Sequence, residues 1–229
     1  MSAKEIRFTG SPDEISKQWH EQRDKGVGGS DVGVIMGVNH YKLIGQLWRE
    51  KTGNAKPEDL THKPAVMLGN AMEPVLRDEY AYMHPNIKVE EPQYMLQDDE
   101  HHWRQASLDG VLTYKDGMKE VLEIKTVGLQ SAQYWEPDTV PISYACQVLH
   151  YMAVSGYRRA QLIALIGNIR IIERTVERDE LLIEMIEDAV DEFWKCVQED
   201  KPPLRHNPTT EFKERIRSVC YDPNNIPLF

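Results

Sequence analysis

Residues 121–128 read VLEIKTVG. Six of the eight suit a buried β-strand, yet Glu123 and Lys125 interrupt the run. Ionised side chains are rarely buried without a partner or a metal. Side chains of a strand alternate between faces, so Glu123 and Lys125 project to one side while Leu122, Ile124 and Thr126 project to the other, into packing. Upstream lies WRQASLDGVLTY (103–114), joined to EVLEIKTV (120–127) through KDGMK, whose Asp116-Gly117 pair is a strong turn signal. The two segments read as a hairpin. Pairing across that turn brings the Asp109 carboxylate beside Glu123. Two carboxylates this close repel, and neither ionises easily alone. A divalent cation takes carboxylate oxygens and removes the penalty. The charges in this strand make sense around a metal ion.

Outward from the hairpin, the pattern is helices, then strands, then helix, strands, helix. Residues 13–25 read as a helix that ends at GVGGSDVGVIMG (26–37), where Ser30 or Asp31 is the expected N-cap of a second helix through Val34 and Ile35. LIGQLWREKTG (43–53) reads as a third helix closed by Gly53, and KPEDLTHKP (56–64) as a loop. AVMLGNAMEPVLRDEYAYMHP (65–85) has helical spacing, with a kink or restart expected at Glu73 because Pro74 follows. IKVEEPQYML (87–96) reads as a strand, as do AQLIALIG (160–167) and RIIERTV (170–176). ISYACQVLHYMAVSG (142–156) and the amphipathic LLIEMIEDAVDEFWKCV (181–197) read as helices. Trp19, Trp48 and Trp194 are expected in the core. The fold class is α/β, a mixed central β-sheet flanked by helices. A single domain is expected over residues 1–200, followed by a C-terminal extension, 201–229, with little core of its own.

Composition bounds the chemistry. The 229 residues are 41% hydrophobic and 28% charged, as in a globular protein. No stretch approaches the ~18 apolar residues of a membrane span, and MSAKEIRFTGSPDE lacks a secretory apolar core, so no membrane partner and a cytoplasmic location are expected. Cys146, Cys196 and Cys220 are too few for a four-cysteine iron–sulfur cluster and too scattered for a disulfide framework. The eight histidines include no HExxH. GVGGSD follows a helix and does not satisfy GxGxxG, and no GxxxxGK[ST] occurs, so no nucleotide cofactor is expected. A net charge of −10 argues against a broad basic surface for nucleic acid, while leaving room for a local groove.

Asp109 followed by Glu123-Ile124-Lys125 forms the pattern Asp…Glu-x-Lys and resembles the PD-(D/E)xK nuclease superfamily. Five blocks in order, WHEQRDKGVGGSD, LGNAMEP, SLDG, LEIK and ACQVLHYM, resemble the λ-exonuclease/YqaJ type of phage recombination nuclease over residues 19–195. The resemblance implies a restriction-endonuclease-like core and a role for each matching residue. Asp109, Glu123 and the Ile124 backbone carbonyl would be metal ligands, with Glu73 completing the site. Lys125 would position and help deprotonate the attacking water, or stabilise charge on the scissile phosphate. Gln147 and Tyr151, one helical turn apart, would border the site. Arg23 and Ser30 would grip the 5′-phosphate of the strand being digested.

The implied activity is a Mg²⁺-dependent, two-metal 5′-to-3′ exonuclease, with Mn²⁺ able to substitute. It would degrade one strand of linear double-stranded DNA to mononucleotides and leave a 3′ overhang. A ring-shaped homotrimer, a single-strand annealing protein as partner and a bacterial or phage-infected host cell are implied likewise. The alternatives are another nuclease of this fold, an endonuclease or one of opposite polarity, or a catalytically silent DNA-end-binding module. Trp103, ahead of Asp109, reads as packing more than as a DNA wedge. Arg158-Arg159 and FKERIR (212–217) read more as exposed charge than as backbone contacts.

Overall fold

The computed structural model describes residues 3–135 and 139–224. The chain runs β1 (Ala3–Arg7), α1 (Pro12–Arg23), α2 (Gly29–Ile35), α3 (Ile44–Lys51) and α4 (Pro64–Met83). Five strands follow: β2 (Lys88–Glu90), β3 (Tyr94–Asp98), β4 (Gln105–Ala106), β5 (Gly110–Thr113) and β6 (Lys119–Val127). A short 3₁₀ helix, Leu129–Trp135, precedes α5 (Ile142–Ser155), β7 (Arg159–Ile166), β8 (Arg170–Glu177), α6 (Glu180–Gln198), α7 (Thr210–Ser218) and β9 (Cys220–Tyr221). The main sheet is ordered β2-β5-β6-β7-β8-β9. Its β6–β7 pair is parallel and its other pairs are antiparallel. A parallel pair needs a long crossover, and α5 lies within it. The mixed α/β fold expected from the sequence is the one observed.

The alternation along β6 sorts two cores. Val121 and Val127 face a large core shared with α2, α5 and α6. Leu122 and Ile124 face a smaller one formed with Leu76 and Tyr80 of α4, Leu112 and Ile163. Leu122 is fully buried; such a side chain contributes about 1.5–3 kcal/mol, and Leu122→Ala costs about 2–5 kcal/mol once the cavity is counted. Glu123 and Lys125 share the parity of Val121 and Val127, so both lie on the α5 side of the sheet. The β5–β6 hairpin turns at Gly117, whose φ of +85° suits glycine, and Met118 N–H donates to the Asp116 carboxylate at 3.0 Å.

Several boundaries differ from expectation. The N-cap of α2 is Gly28, not Ser30 or Asp31, because Asp31 sits three residues in and accepts from the Gly28 N–H at 3.2 Å while Ser30 is engaged by Arg23. Helix α4 runs unbroken through Pro74. The segment 87–96 divides at Glu91-Pro92 into β2 and β3, which join different sheets; proline supplies no N–H to a ladder. The segment 103–114 likewise divides into β4 and β5, leaving Asp109 just outside the ladder. Strand β1 pairs with β3 in a small second sheet. The tail carries more core than expected: Phe212 and Ile216 of α7 are buried, and β9 extends the main sheet. Residues 225–229 of that extension lie outside the described residues.

Candidate active site

β5 pairs with β6 in a register that sets Gly110 opposite Leu122; one step further sets Asp109 opposite Glu123. Freed from the ladder, Asp109 turns its carboxylate onto the Ile124 N–H, which donates to Oδ2 at 2.8 Å. The N–H and C=O of one strand residue leave on the same edge, so the Ile124 carbonyl lies on the Asp109 side. Glu123 has no solvent exposure. Its Oε1 accepts from Lys125 Nζ and from Gln147 Nε2, the latter at 2.7 Å, and Gln147 Nε2 also donates to the Tyr151 hydroxyl at 3.1 Å. Lys125 Nζ stands 5.0 Å from the centroid of the Tyr144 ring.

The fourth element is α4. Arg77, one turn after Glu73, donates to Glu73 Oε1 at 2.6 Å, to Glu91 Oε2 at 2.8 Å and to the backbone carbonyl of Asp109 at 2.8 Å. This buried guanidinium ties the helix carboxylate to the hairpin. The sequence reading passed over it; its only signal there is the i, i+4 spacing from Glu73.

Electrostatics follow from this crowding. Burial, then the Asp109 charge, pushes the Glu123 carboxyl up to about 8. Burial raises Asp109 as well, and burial with the Asp109 charge raises Glu73. Burial alone would lower Lys125, but Glu123 and Asp109 hold its ammonium above the ordinary lysine range. Burial and the Glu123 charge raise the Tyr151 hydroxyl, which stays protonated.

The donor set fits a hard divalent cation. Glu123 Oε2 is buried with no hydrogen-bond partner, a state that costs about 1–3 kcal/mol or more for a charged group, and Lys125 and Arg77 offset only part of the charge on three neighbouring carboxylates. Asp109, Glu123, the Ile124 carbonyl and Glu73 are the groups that can supply oxygens. Among the described residues no three acidic, histidine or cysteine side chains form a ready ligand cluster; Lys125, Gln147, Arg77 and the Ile124 N–H each hold a carboxylate oxygen.

A second group completes the cavity. Arg23 donates to Ser30 Oγ at 2.7 Å and lies 5.2 Å from the Trp19 ring centroid. Behind it, the buried Asp31 is 3.2 Å from Lys51 Nζ and 3.9 Å from Arg23. Burial would raise Asp31, but Lys51 and Arg23 hold it below the usual carboxylate range. Trp19, expected in the core, instead lines the cavity and donates to Ser107 Oγ at 3.1 Å. Gly29 lets α2 lie against α5: a Cβ there would come within 2.4 Å of the Tyr151 ring.

All eight side chains singled out from the sequence, Arg23, Ser30, Glu73, Asp109, Glu123, Lys125, Gln147 and Tyr151, line one cavity of about 440 Å³. By contrast, Trp103 is tied by its Nε1 to Asp191 at 2.8 Å and packs against the core. Arg159 is paired with Glu177 and Glu120.

A family model described as the YqaJ-like viral recombinase domain matches residues 18–158. The protein YqaJ of Bacillus subtilis (strain 168) is 34% identical over 197 residues, which cover 85% of this chain and 60% of that one. The chain thus spans 60% of the length of that curated relative. The fold is similar to that of an alkaline exonuclease (LHK-Exo) from Laribacter hongkongensis, with a TM-score of 0.61 at 18% identity over 80% of this chain and 93% of that one. It is also similar to a phage-related exonuclease from Haemophilus somnus 129PT, with a TM-score of 0.58 at 14% identity over 76% and 94% of the two chains. The match to the family model takes in α2, the hairpin and α5, the elements that build the cavity, and the chain belongs to the YqaJ-like viral recombinase family.

Proposed function

We propose that this chain is a Mg²⁺-dependent exonuclease that degrades one strand of linear double-stranded DNA from its 5′ end, releasing mononucleotides and leaving a 3′ overhang. One observation carries the reading: the carboxylates with Lys125, and the Arg23–Ser30 pair, line the same cavity. The first group suits phosphodiester hydrolysis and the second suits a terminal phosphate. The names of the two structural neighbours, both exonucleases, support the same class.

Asp109, Glu123, the Ile124 carbonyl and Glu73 would hold Mg²⁺ or Mn²⁺, which when bound supplies Lewis acidity at the phosphodiester and an acidified water, from one ion or two. The remaining work falls to the chain itself. Lys125, beside Glu123 Oε1, would position and help deprotonate the attacking water or donate to developing charge on the scissile phosphate. Gln147 and Lys125 hold Glu123 Oε1, which leaves the unpartnered Oε2 available to a metal ion. The Arg23 guanidinium offers a fork of donors to a terminal phosphate, and Ser30 adds a hydroxyl. The Gly28 amide is spent on Asp31, so the grip rests on these side chains.

The decisive experiment digests end-labelled linear duplex, with and without 5′-phosphate, in Mg²⁺ and in EDTA. Mononucleotides released faster from phosphorylated ends, and only with metal, are expected. Equal rates on both ends, or cutting of closed circles, would replace the assignment with another nuclease of this fold. Tight end-binding without product would make it a silent end-binding module. The homotrimeric ring and the single-strand annealing partner rest on the family resemblance. A sedimentation mass three times that of the 26.5 kDa chain is the expected sign of the ring.

A further inference from the structure

Behind the Arg23–Ser30 pair sits a buried cation that the chemistry above does not use. Lys51 is the last residue of α3, and its side chain is only 6% exposed. Lysine is rarely buried without partners. Here the ammonium donates to the Arg23 backbone carbonyl at 2.9 Å and lies 3.2 Å from Asp31 Oδ2. Neither Lys51 nor Asp31 lines the catalytic cavity, so their effect on a bound strand end runs through Arg23.

Asp31 is the anion that the two cations share. Its Oδ2 accepts from the Gly28 N–H and faces Lys51, while its Oδ1 stands 3.9 Å from Arg23, beyond hydrogen-bond reach. The Arg23 guanidinium donates instead to Ser30 Oγ at 2.7 Å. Two cations around one carboxylate leave one positive charge in excess, in a chain of net charge −10. Arginine pairs best with a carboxylate through two parallel hydrogen bonds, one to each oxygen. Asp31 can offer Arg23 that contact only with Oδ2 free, and Lys51 and the Gly28 amide hold Oδ2. Through the Arg23 carbonyl, the same ammonium also anchors the end of α1 from which the guanidinium extends.

We propose that Lys51 is a positioning residue for the terminal-phosphate grip: by occupying Asp31 it keeps the Arg23 guanidinium off that carboxylate and free for the phosphate. The inference rests on the reading of Arg23 and Ser30 as a 5′-phosphate site. With Lys51 neutralised, Asp31 becomes a buried anion with Arg23 as its nearest cation. An uncompensated buried charge is strongly destabilising, so Arg23 closes on Asp31 and the phosphate loses its fork of donors. The relationship is competitive. Removing the contested carboxylate then restores what removing the lysine takes away.

The test is anisotropy of short duplexes labelled with fluorescein at a 3′ end, with 5′-phosphate or with 5′-hydroxyl, in EDTA, where no cutting occurs. Thermal melts confirm folding. The readout is the ratio of the two affinities, which in the wild type is expected to favour phosphate by at least about tenfold. Lys51→Met keeps the apolar stem without the charge and is expected to lower that ratio by about tenfold. Lys51→Met with Asp31→Asn is expected to regain most of it. A lysine with a merely structural role would weaken both duplexes alike and leave the ratio where it was. An unchanged ratio in Lys51→Met, or no recovery in the double variant, would overturn the proposal, even in a protein that digests duplex ends normally. Should Lys51→Met not fold, Asp31→Asn alone carries the test: the ratio is expected to hold or rise, and a fall would overturn the competition. A wild type indifferent to the phosphate would remove the proposal together with the grip. Loss and recovery of the ratio in a protein that never cuts DNA would keep the positioning role and remove the nuclease reading instead.

Discussion

Gln147 holds Glu123 by a 2.7 Å hydrogen bond from its amide nitrogen to Oε1, and the same nitrogen reaches the Tyr151 hydroxyl at 3.1 Å. Both amide hydrogens are committed, so the carboxylate has one anchored oxygen and one left without a partner. In the proposed function Glu123 would be a metal ligand, and residues that orient such a ligand are typically worth about 10–100-fold in activity. Gln147→Ala is therefore expected to lower kcat on 5′-phosphorylated duplex by about that factor, with little change in KM. Initial rates across DNA concentrations check this. An unchanged kcat would place Gln147 among ordinary packing residues.

Asp109→Asn separates stability from activity. The amide oxygen still accepts from the Ile124 N–H, but the charge that raises Glu123 and Glu73 is gone. Cleavage is expected to fall by orders of magnitude. In EDTA the melting temperature is expected to rise by a few degrees, because about 1 kcal/mol of repulsion is relieved. Calorimetry in EDTA reads the sign directly, and a lower melting temperature would contradict the crowding described here.

Arg77 bridges α4 to the hairpin through three acceptors. Its partners are partly exposed, with side-chain exposures of 37% for Glu73 and 54% for Glu91, which moderates the loss. Arg77→Ala is expected to cost about 2 kcal/mol by urea denaturation and to slow cleavage by releasing Glu73. Arg77→Lys is expected to recover only part of either, since one ammonium cannot reproduce a planar fork. Full recovery by lysine would show that charge alone matters.

His150 gives the fold a pH dependence. It is fully buried, and its Nε2 lies 3.0 Å from the Gln105 carbonyl, an acceptor that places the proton of the neutral ring at Nε2, while Nδ1 has no partner. Burial pushes it down to about 4. The unfolded chain takes up a proton near pH 6.5, so below that value protonation favours unfolding. The contribution is intact above pH 6.5 and fades as pH falls towards 4, by on the order of 3 kcal/mol. His150→Gln keeps a donor for Gln105 without titrating. Its unfolding free energy is expected to decline less than that of the wild type between pH 7 and 4.5, and parallel curves would refute the assignment.

The pairing of Asp109 with Glu123 was legible because its signals are local, whereas Arg23, Ser30, Glu73, Gln147 and Tyr151 were singled out through the family resemblance. The alternation in VLEIKTVG fixes faces, and Asp116-Gly117 fixes the hairpin, so the Asp109–Glu123 pairing followed from two short-range rules. Arg77 was not legible in the same way: i, i+4 charge pairs are common on helix surfaces, and only the fold shows that this one reaches a carbonyl on another element. The tail was misjudged for a related reason. TEFKERIRS has two apolar residues, Phe212 and Ile216, spaced by four among charges, and their burial depends on a distant surface. β1 was missed similarly, since AKEIR alternates weakly and gains its strand state from β3.

The contact between Gly29 and the Tyr151 ring joins two tasks to one mounting. Helix α2, whose Ser30 would help select a strand end, and the helix that steadies Glu123 touch with no room for a methyl group between them. A swelling at that joint would be felt on both sides, so a terminus seated askew would also be a terminus severed slowly. In the proposed function, choosing where to begin and being able to proceed would be a single mechanical decision.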